Sequence, residues 1–204
     1  MTFSLVAANA HAYTHDSLSG ITQRAAFLSL VPLSTIASIT DLVSGIFGVI
    51  ASLSTLGRNK HLLRETNTHI KSFGNIISAP YLNLLKTINP NAPFTNPKHQ
   101  PTGYLAPCFI SPPSKKATEF RSSDNFFHRH ISSRLSYALT SIVAIISRAL
   151  DGVIGTIAAP ISILTLGKFQ CINNAAFHGL KAPALLTDLF YLSAIFINPF
   201  IFTP

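Results

Sequence analysis

Between Ser34 and Thr55 the small or polar residues Ser34, Ser38, Asp41, Gly45, Gly48, Ser52 and Thr55 recur at alternating steps of four and three. That spacing gathers them on one stripe of a helix and leaves Ile36, Ile39, Val43, Phe47 and Ile50 around the rest of its surface. A second stretch, Ser141 to Gly167, resembles the first. At a constant offset the two match at Ser34/Ser141, Ala37/Ala144, Ile39/Ile146, Gly45/Gly152, Gly48/Gly155, Ile50/Ile157 and Ala51/Ala158. Three residues inserted around Pro160 then bring Thr55-Leu56-Gly57-Arg58 level with Thr165-Leu166-Gly167-Lys168. On this register the second stripe is Ser141, Ile145, Arg148, Gly152, Gly155, Ala159 and Ser162. A resemblance at fixed period marks two copies of one supersecondary unit.

The pattern predicts an all-α protein of two pseudo-repeats, each a long Gly/Ser-striped hydrophobic helix followed by a second helix. Gly57 and Gly167 stand where C-terminal caps belong, with Arg58 and Lys168 beside the negative end of the dipole. After Gly57, apolar residues from Leu62 to Ile88 keep a three-to-four spacing, which predicts an amphipathic helix interrupted near Pro80. The last helix should begin near Pro183 and stop before Pro199. Residues 1–24 are polar and non-periodic and read as a flexible tail. Residues 89–133 hold seven prolines between Pro90 and Pro113 and read as a basic linker, with a short polar helix from Ser122 to Ser133. The repeats then cover 25–88 and 134–204.

Gly45 and Gly48 each cost the helix roughly 1 kcal/mol relative to alanine. Close helix approach compensates for such a loss, so Ser38, Gly45, Gly48, Ser52, Gly152, Gly155 and Ala159 are the candidate packing positions. The same offset aligns Asp41 with Arg148, each the central charge of an apolar helix. Halves meeting about a pseudo-two-fold axis would let this acid and base neutralise one another; the local alternative is Arg148 with Asp151, three residues on.

Composition changes the picture in one respect. Hydrophobic residues make up 48% of the 204, but charged residues only 11%, under half of the usual share of about 25%. The mean hydropathy is +0.38. So few charges leave too little to cover an ordinary water-soluble surface, which points to a membrane or to surfaces buried against a partner. The net charge of +8 is clustered: Arg58, Lys60, Arg64 and Lys71 follow the first long helix, where bases favour anionic lipid headgroups. Nucleic acid is not implied, because no motif for it accompanies the basic residues.

Chemistry is sparse. Cys108 and Cys171 make neither a disulfide framework nor a zinc site. The histidines lack acidic or cysteine partners at ligand spacing, and neither Gly45–Gly48 nor Gly152–Gly155 has the lysine and glycines of a phosphate loop. No cofactor and no catalysis are expected.

The Thr-Leu-Gly-Arg/Lys phrases at 55–58 and 165–168, followed by Ile-Asn-Pro at 88–90 and 197–199, resemble uncharacterised membrane-associated proteins of chlamydiae. The long apolar lobes, Ser34–Arg58 and Ser141–Pro199, are similar in profile to the inclusion membrane proteins of that group. The resemblance implies a bacterial protein carried in a host-derived membrane. The reading from the residues is a non-catalytic structural or scaffolding protein, located in or on a membrane, with anionic lipids as partners. The competing reading is a soluble helical interaction module that buries its apolar faces in a homo-oligomer or against a protein partner.

Overall fold

The computed structural model of the chain describes residues 2–55, 59–94 and 103–197, those at 53, 60 and 197 by their backbone alone. Gly57 and Arg58, the Lys60 side chain, the linker stretch 95–102 and Asn198-Pro199 lie outside the described residues. The described chain is all-α: α1 Phe3–Ser17, α2 Gly20–Ser54, α3 Lys60–Phe73, α4 Ser78–Ile88, α5 Ala106–Arg121, α6 Ser133–Leu164, α7 Gln170–Gly179 and α8 Leu185–Ile197. A π-helical turn, His128–Ser132, leads into α6, and a 3-10 turn, Ala182–Ala184, leads into α8.

Each long helix is the spine of a four-helix array. Helix α2 carries α1, α3 and α4, while α6 carries α5, α7 and α8. The arrays meet reciprocally, since α3 packs on α8 and α4 on α7. Near the middle of that seam the nearest atom to a Cβ built on Gly74 is the Ala184 Cβ, at 2.9 Å. Thr187 on α8 donates to the Ile70 carbonyl on α3 at 2.9 Å. The main core crosses the seam, with Tyr81, Leu85 and Ala92 against Ala158, Ala176 and Phe177.

Two segments read as irregular are helices. The N-terminal tail is α1, packed on α2. Its buried side is made of Ala7 and Thr14, with His11 between them against the Phe27 ring, 5.0 Å between centroids. Small side chains at steps of four and three pack closely yet carry no hydrophobic signal. The linker likewise contains α5. Pro107 occupies the first turn, where no intrahelical N–H is needed. Pro112 and Pro113 deprive the carbonyls of Cys108 and Phe109 of their donors, and both of these residues are exposed to other partners. Pro32 is absorbed inside α2, and Pro80 sits in the first turn of α4.

Contacts recur 110 residues apart, not at the offset read from the sequence. Asp41 and Asp151 are both fully buried, as are Phe27 and Tyr137, and Ser52 and Ser162 are nearly so. Gly45 lies against Ile70 and Gly155 against Leu180. This register needs no insertion before Thr55 and Thr165, and it moves the buried stripe of α6 to Ala144, Arg148, Asp151, Gly155, Ala158 and Ser162. Gly155 is thereby the counterpart of Gly45, Gly152 loses its assigned partner, and Ile145 faces outward. Of the seven identities behind the sequence offset, two, Ile39/Ile146 and Ile50/Ile157, lie between exposed residues that carry no packing constraint.

The glycines differ in what confines them. A Cβ on Gly155 would stand 2.5 Å from the backbone of Gly179 and Leu180, so the start of the α7–α8 connection rests on bare α6 backbone. A Cβ on Gly152 would meet only the Ala182 Cβ, at 3.2 Å. Gly155→Ala is therefore expected to destabilise by about 1–3 kcal/mol through overpacking. Gly152→Ala should be neutral or gain up to about 1 kcal/mol of helix propensity. Denaturant melts of the two variants measure the difference in sign.

Candidate functional site

The outer faces of the long helices are the largest chemical feature of the surface. On α2, Ile21, Leu28, Ile36, Val43, Phe47 and Ile50 are exposed, and on α6 a similar row runs from Leu135 through Ile146, Val153 and Ile157 to Leu164. Each row covers about 44 Å at 1.5 Å per residue, more than the roughly 30 Å hydrocarbon core of a bilayer. Three stretches, 33, 37 and 27 residues long, are long and apolar enough to cross a membrane: Gly20–Ser52, His128–Leu164 and Gln170–Phe196. The third is broken by the turn between α7 and α8, and neither helix alone reaches the length of about 20 residues a span needs.

Polarity is inverted across both spines. Ser34, Ser38, Asp41 and Ser52 of α2 are buried, as are Thr140, Ser147, Arg148, Asp151 and Ser162 of α6. Several of these hydroxyls return to their own helix: Ser52 donates to the Gly48 carbonyl and Ser147 to the Val143 carbonyl, both at 2.7 Å. Ser162 instead donates to Asn173 Oδ1 at 2.6 Å, and the Asn173 amide donates to the Gly167 and Pro93 carbonyls. Of the packing positions read from sequence, Ser38 is buried and Gly45 and Gly48 lie against Ile70 and Thr66 of α3. Ala159 is partly buried against the seam core. The glycine faces thus serve the next helix of their own array; they do not meet one another.

The buried charges follow the same rule, which corrects the expected Asp41–Arg148 pair. Asp41 accepts the Phe3 and Ser4 amides at 3.0 and 2.9 Å and faces His69 Nδ1 at 3.0 Å. Asp151 accepts the amides of Tyr104, Leu105 and Ala106 at 3.2, 2.5 and 3.2 Å. Arg148 donates through Nε to Asp188 at 2.7 Å and lies 4.0 Å from Asp151. Each of these charges is met within its own array. Nothing in the spacing singled out Asp188, because its partner is 40 residues away on another helix.

Between α1, α2 and α4 lies a cavity of about 720 Å³, closed on one side by Ala92 and Phe94. Its walls are mainly carbon, with His11, Asn83 and Lys86 among them. The Asn83 amide donates to the Leu30 carbonyl at 3.2 Å and to Ser34 Oγ at 3.3 Å. Its Oδ1 must then accept, so His11 Nδ1 carries the proton in their 2.6 Å contact. Burial, then the nearby Lys86 charge, lowers the His11 pKa from 6.5, against the hydrogen bond to Asn83. Lys86 is itself 7% exposed, and burial lowers its pKa as well. It donates to the Pro90 and Ala92 carbonyls at 2.8 and 3.0 Å.

On α3, Arg64 and Lys71 are exposed. Compared with protein-family models, curated proteins and solved structures, the chain finds no match.

The charge assignments have a direct test. Arg148→Met should cost about 3–5 kcal/mol by stranding Asp188 and Asp151, and the double variant Arg148→Met with Asp188→Leu should recover part of that loss. Asp41→Arg should not be rescued by Arg148→Asp. Unfolding free energies of the single and double variants check both statements.

Proposed function

We propose that the protein is a membrane-associated, non-catalytic structural or scaffolding component, built by duplication of a four-helix unit and seated with the outer faces of α2 and α6 against lipid. The supporting observation is the inverted polarity of both spines: aspartates, an arginine and serines are buried, and isoleucine, valine and phenylalanine are outside. Water-soluble helices place these classes the other way round. A contiguous apolar face of this length marks an interaction surface, and hydrocarbon meets it without requiring any matching side chains. The buried hydroxyls and ion pairs suit the same setting, since polar groups at membrane depth need partners inside the protein.

In this reading Arg64 and Lys71 of α3 face anionic headgroups, each contributing about 1 kcal/mol near such a surface; Arg58 and Lys60 are proposed for the same role from their place in the sequence. Self-association through the same apolar faces is the alternative occupant of the surface.

Membrane extraction separates the two. The full chain should remain in the membrane pellet after alkaline carbonate treatment. Ile39→Glu together with Ile146→Glu, on exposed positions of the two spines, should move it toward the supernatant. Recovery of the unmodified chain as a stable oligomer without detergent would contradict membrane association and favour the self-associated form. Reversing both Arg64 and Lys71 to glutamate should weaken binding to anionic vesicles by about tenfold or more while leaving binding to neutral vesicles unchanged.

A further inference from the structure

The cavity of the first array corresponds to a packed space among the described residues of the second. Between α5, α6 and α8 the corresponding space is filled by Ala117, Tyr137, Ala144, Leu192 and Ile195. At the 109-residue spacing that brings Ile88-Asn89-Pro90 level with Ile197-Asn198-Pro199, buried Ile195 stands for Lys86 and buried Leu192 for Asn83. The fold therefore has a packed solution for this space, and the first array departs from it by opening about 720 Å³ and lining it with a buried cation. That volume falls within the roughly 300–1,000 Å³ of small-molecule clefts.

Lys86 directs the identity of an occupant. Two of its three N–H groups go to the Pro90 and Ala92 carbonyls, and its ammonium stands 5.7 Å from the centre of the Phe94 ring. Among the described residues no carboxylate lies within ion-pair distance of it. The acid on this cavity, Asp16, is exposed at the rim and paired with His15 at 2.9 Å. A buried cation without an anion is costly, and an anion that brings its own charge into the cavity removes that cost. Ala7, Ala8 and Ala12 of α1 with Ala79 and Leu82 of α4 supply an apolar stretch of the lining that suits methylene groups, and Ser34, Ser38 and Asn75 lie elsewhere on the wall.

We propose that this cavity binds a single-chain amphiphile with a carboxylate head, of the fatty-acid class, its head on the free N–H of Lys86 beside His11 and its chain along the alanines of α1. The site is formed by the first array with Phe177 of α7 and is independent of which surface covers α2 and α6. Lys86 alternatively serves only to fasten the turn after α4. In that case its loss lowers stability but does not discriminate between ligand heads.

Equilibrium binding of radiolabelled palmitate and of hexadecanol to the full chain, stripped of lipid and held in amphipol, decides between them. Saturable binding of one palmitate per chain is expected, about tenfold or more tighter than hexadecanol, the contribution of one charged hydrogen bond. Lys86→Met should bring palmitate down to the hexadecanol level without changing hexadecanol. Leu82→Trp, which keeps the cation but obstructs the apolar part of the cavity with an indole, should abolish saturable binding of both. Should Lys86→Met fail to fold, as judged by circular dichroism, the head-group preference of the unmodified chain and its loss in Leu82→Trp carry the test. Equal affinity for palmitate and hexadecanol, no saturable palmitate binding, or palmitate binding that survives Leu82→Trp would overturn the proposal. Tighter binding of palmitoyl lysophosphatidate than of palmitate would overturn the carboxylate assignment.

Discussion

A buried aspartate on each spine accepts the first backbone amides of the helix before it. Asp41 takes those of Phe3 and Ser4 at the start of α1, and Asp151 takes those of Tyr104, Leu105 and Ala106 at the start of α5. Neither helix has a side-chain cap from its own N-cap residue. The orphan amides and the positive end of the dipole therefore depend on a carboxylate from across the array. The same contact gives each buried carboxylate hydrogen-bond donors, beside His69 at Asp41 and Arg148 at Asp151. Fixing α1 and α5 in this way makes each array four helices and not three.

The inverted polarity follows from that arrangement. Once carboxylates, an arginine and serines occupy the inward stripes, the large aliphatic side chains of α2 and α6 have only the outside left to them. Small residues inside also permit the near backbone contact of Gly155 with Gly179. The first array uses the freedom differently: with Lys86 and Asn83 where the second has Ile195 and Leu192, it keeps a cavity where the second is packed.

Much of this was legible in the chain before any coordinates. The 3-and-4 spacing of Ser34 through Thr55 marks the inward stripe of α2, and the prolines at 80 and 183 stand at helix starts. What escaped has a common cause. Helix α1 is held by small side chains and a remote carboxylate, neither of which leaves a hydrophobic period. Helix α5 contains Pro112 and Pro113, which argue against a helix unless the freed carbonyls stay exposed. The 110-residue spacing of Asp41 and Asp151 and of Gly45 and Gly155 rests on a few buried identities, whereas the offset read from the chain also counted Ile39/Ile146 and Ile50/Ile157 on the outer surface. The pairing of Arg148 with Asp188 depends on which helices lie side by side, which spacing along the chain does not encode.

Amide hydrogen exchange on the full chain tests the central carboxylate contact most directly. In Asp151→Asn the first turn of α5 should lose protection at Leu105 and Ala106 while the first turn of α1 keeps its own, and Asp41→Asn should show the converse at Phe3 and Ser4. Unchanged protection at both turns in both variants would contradict the account.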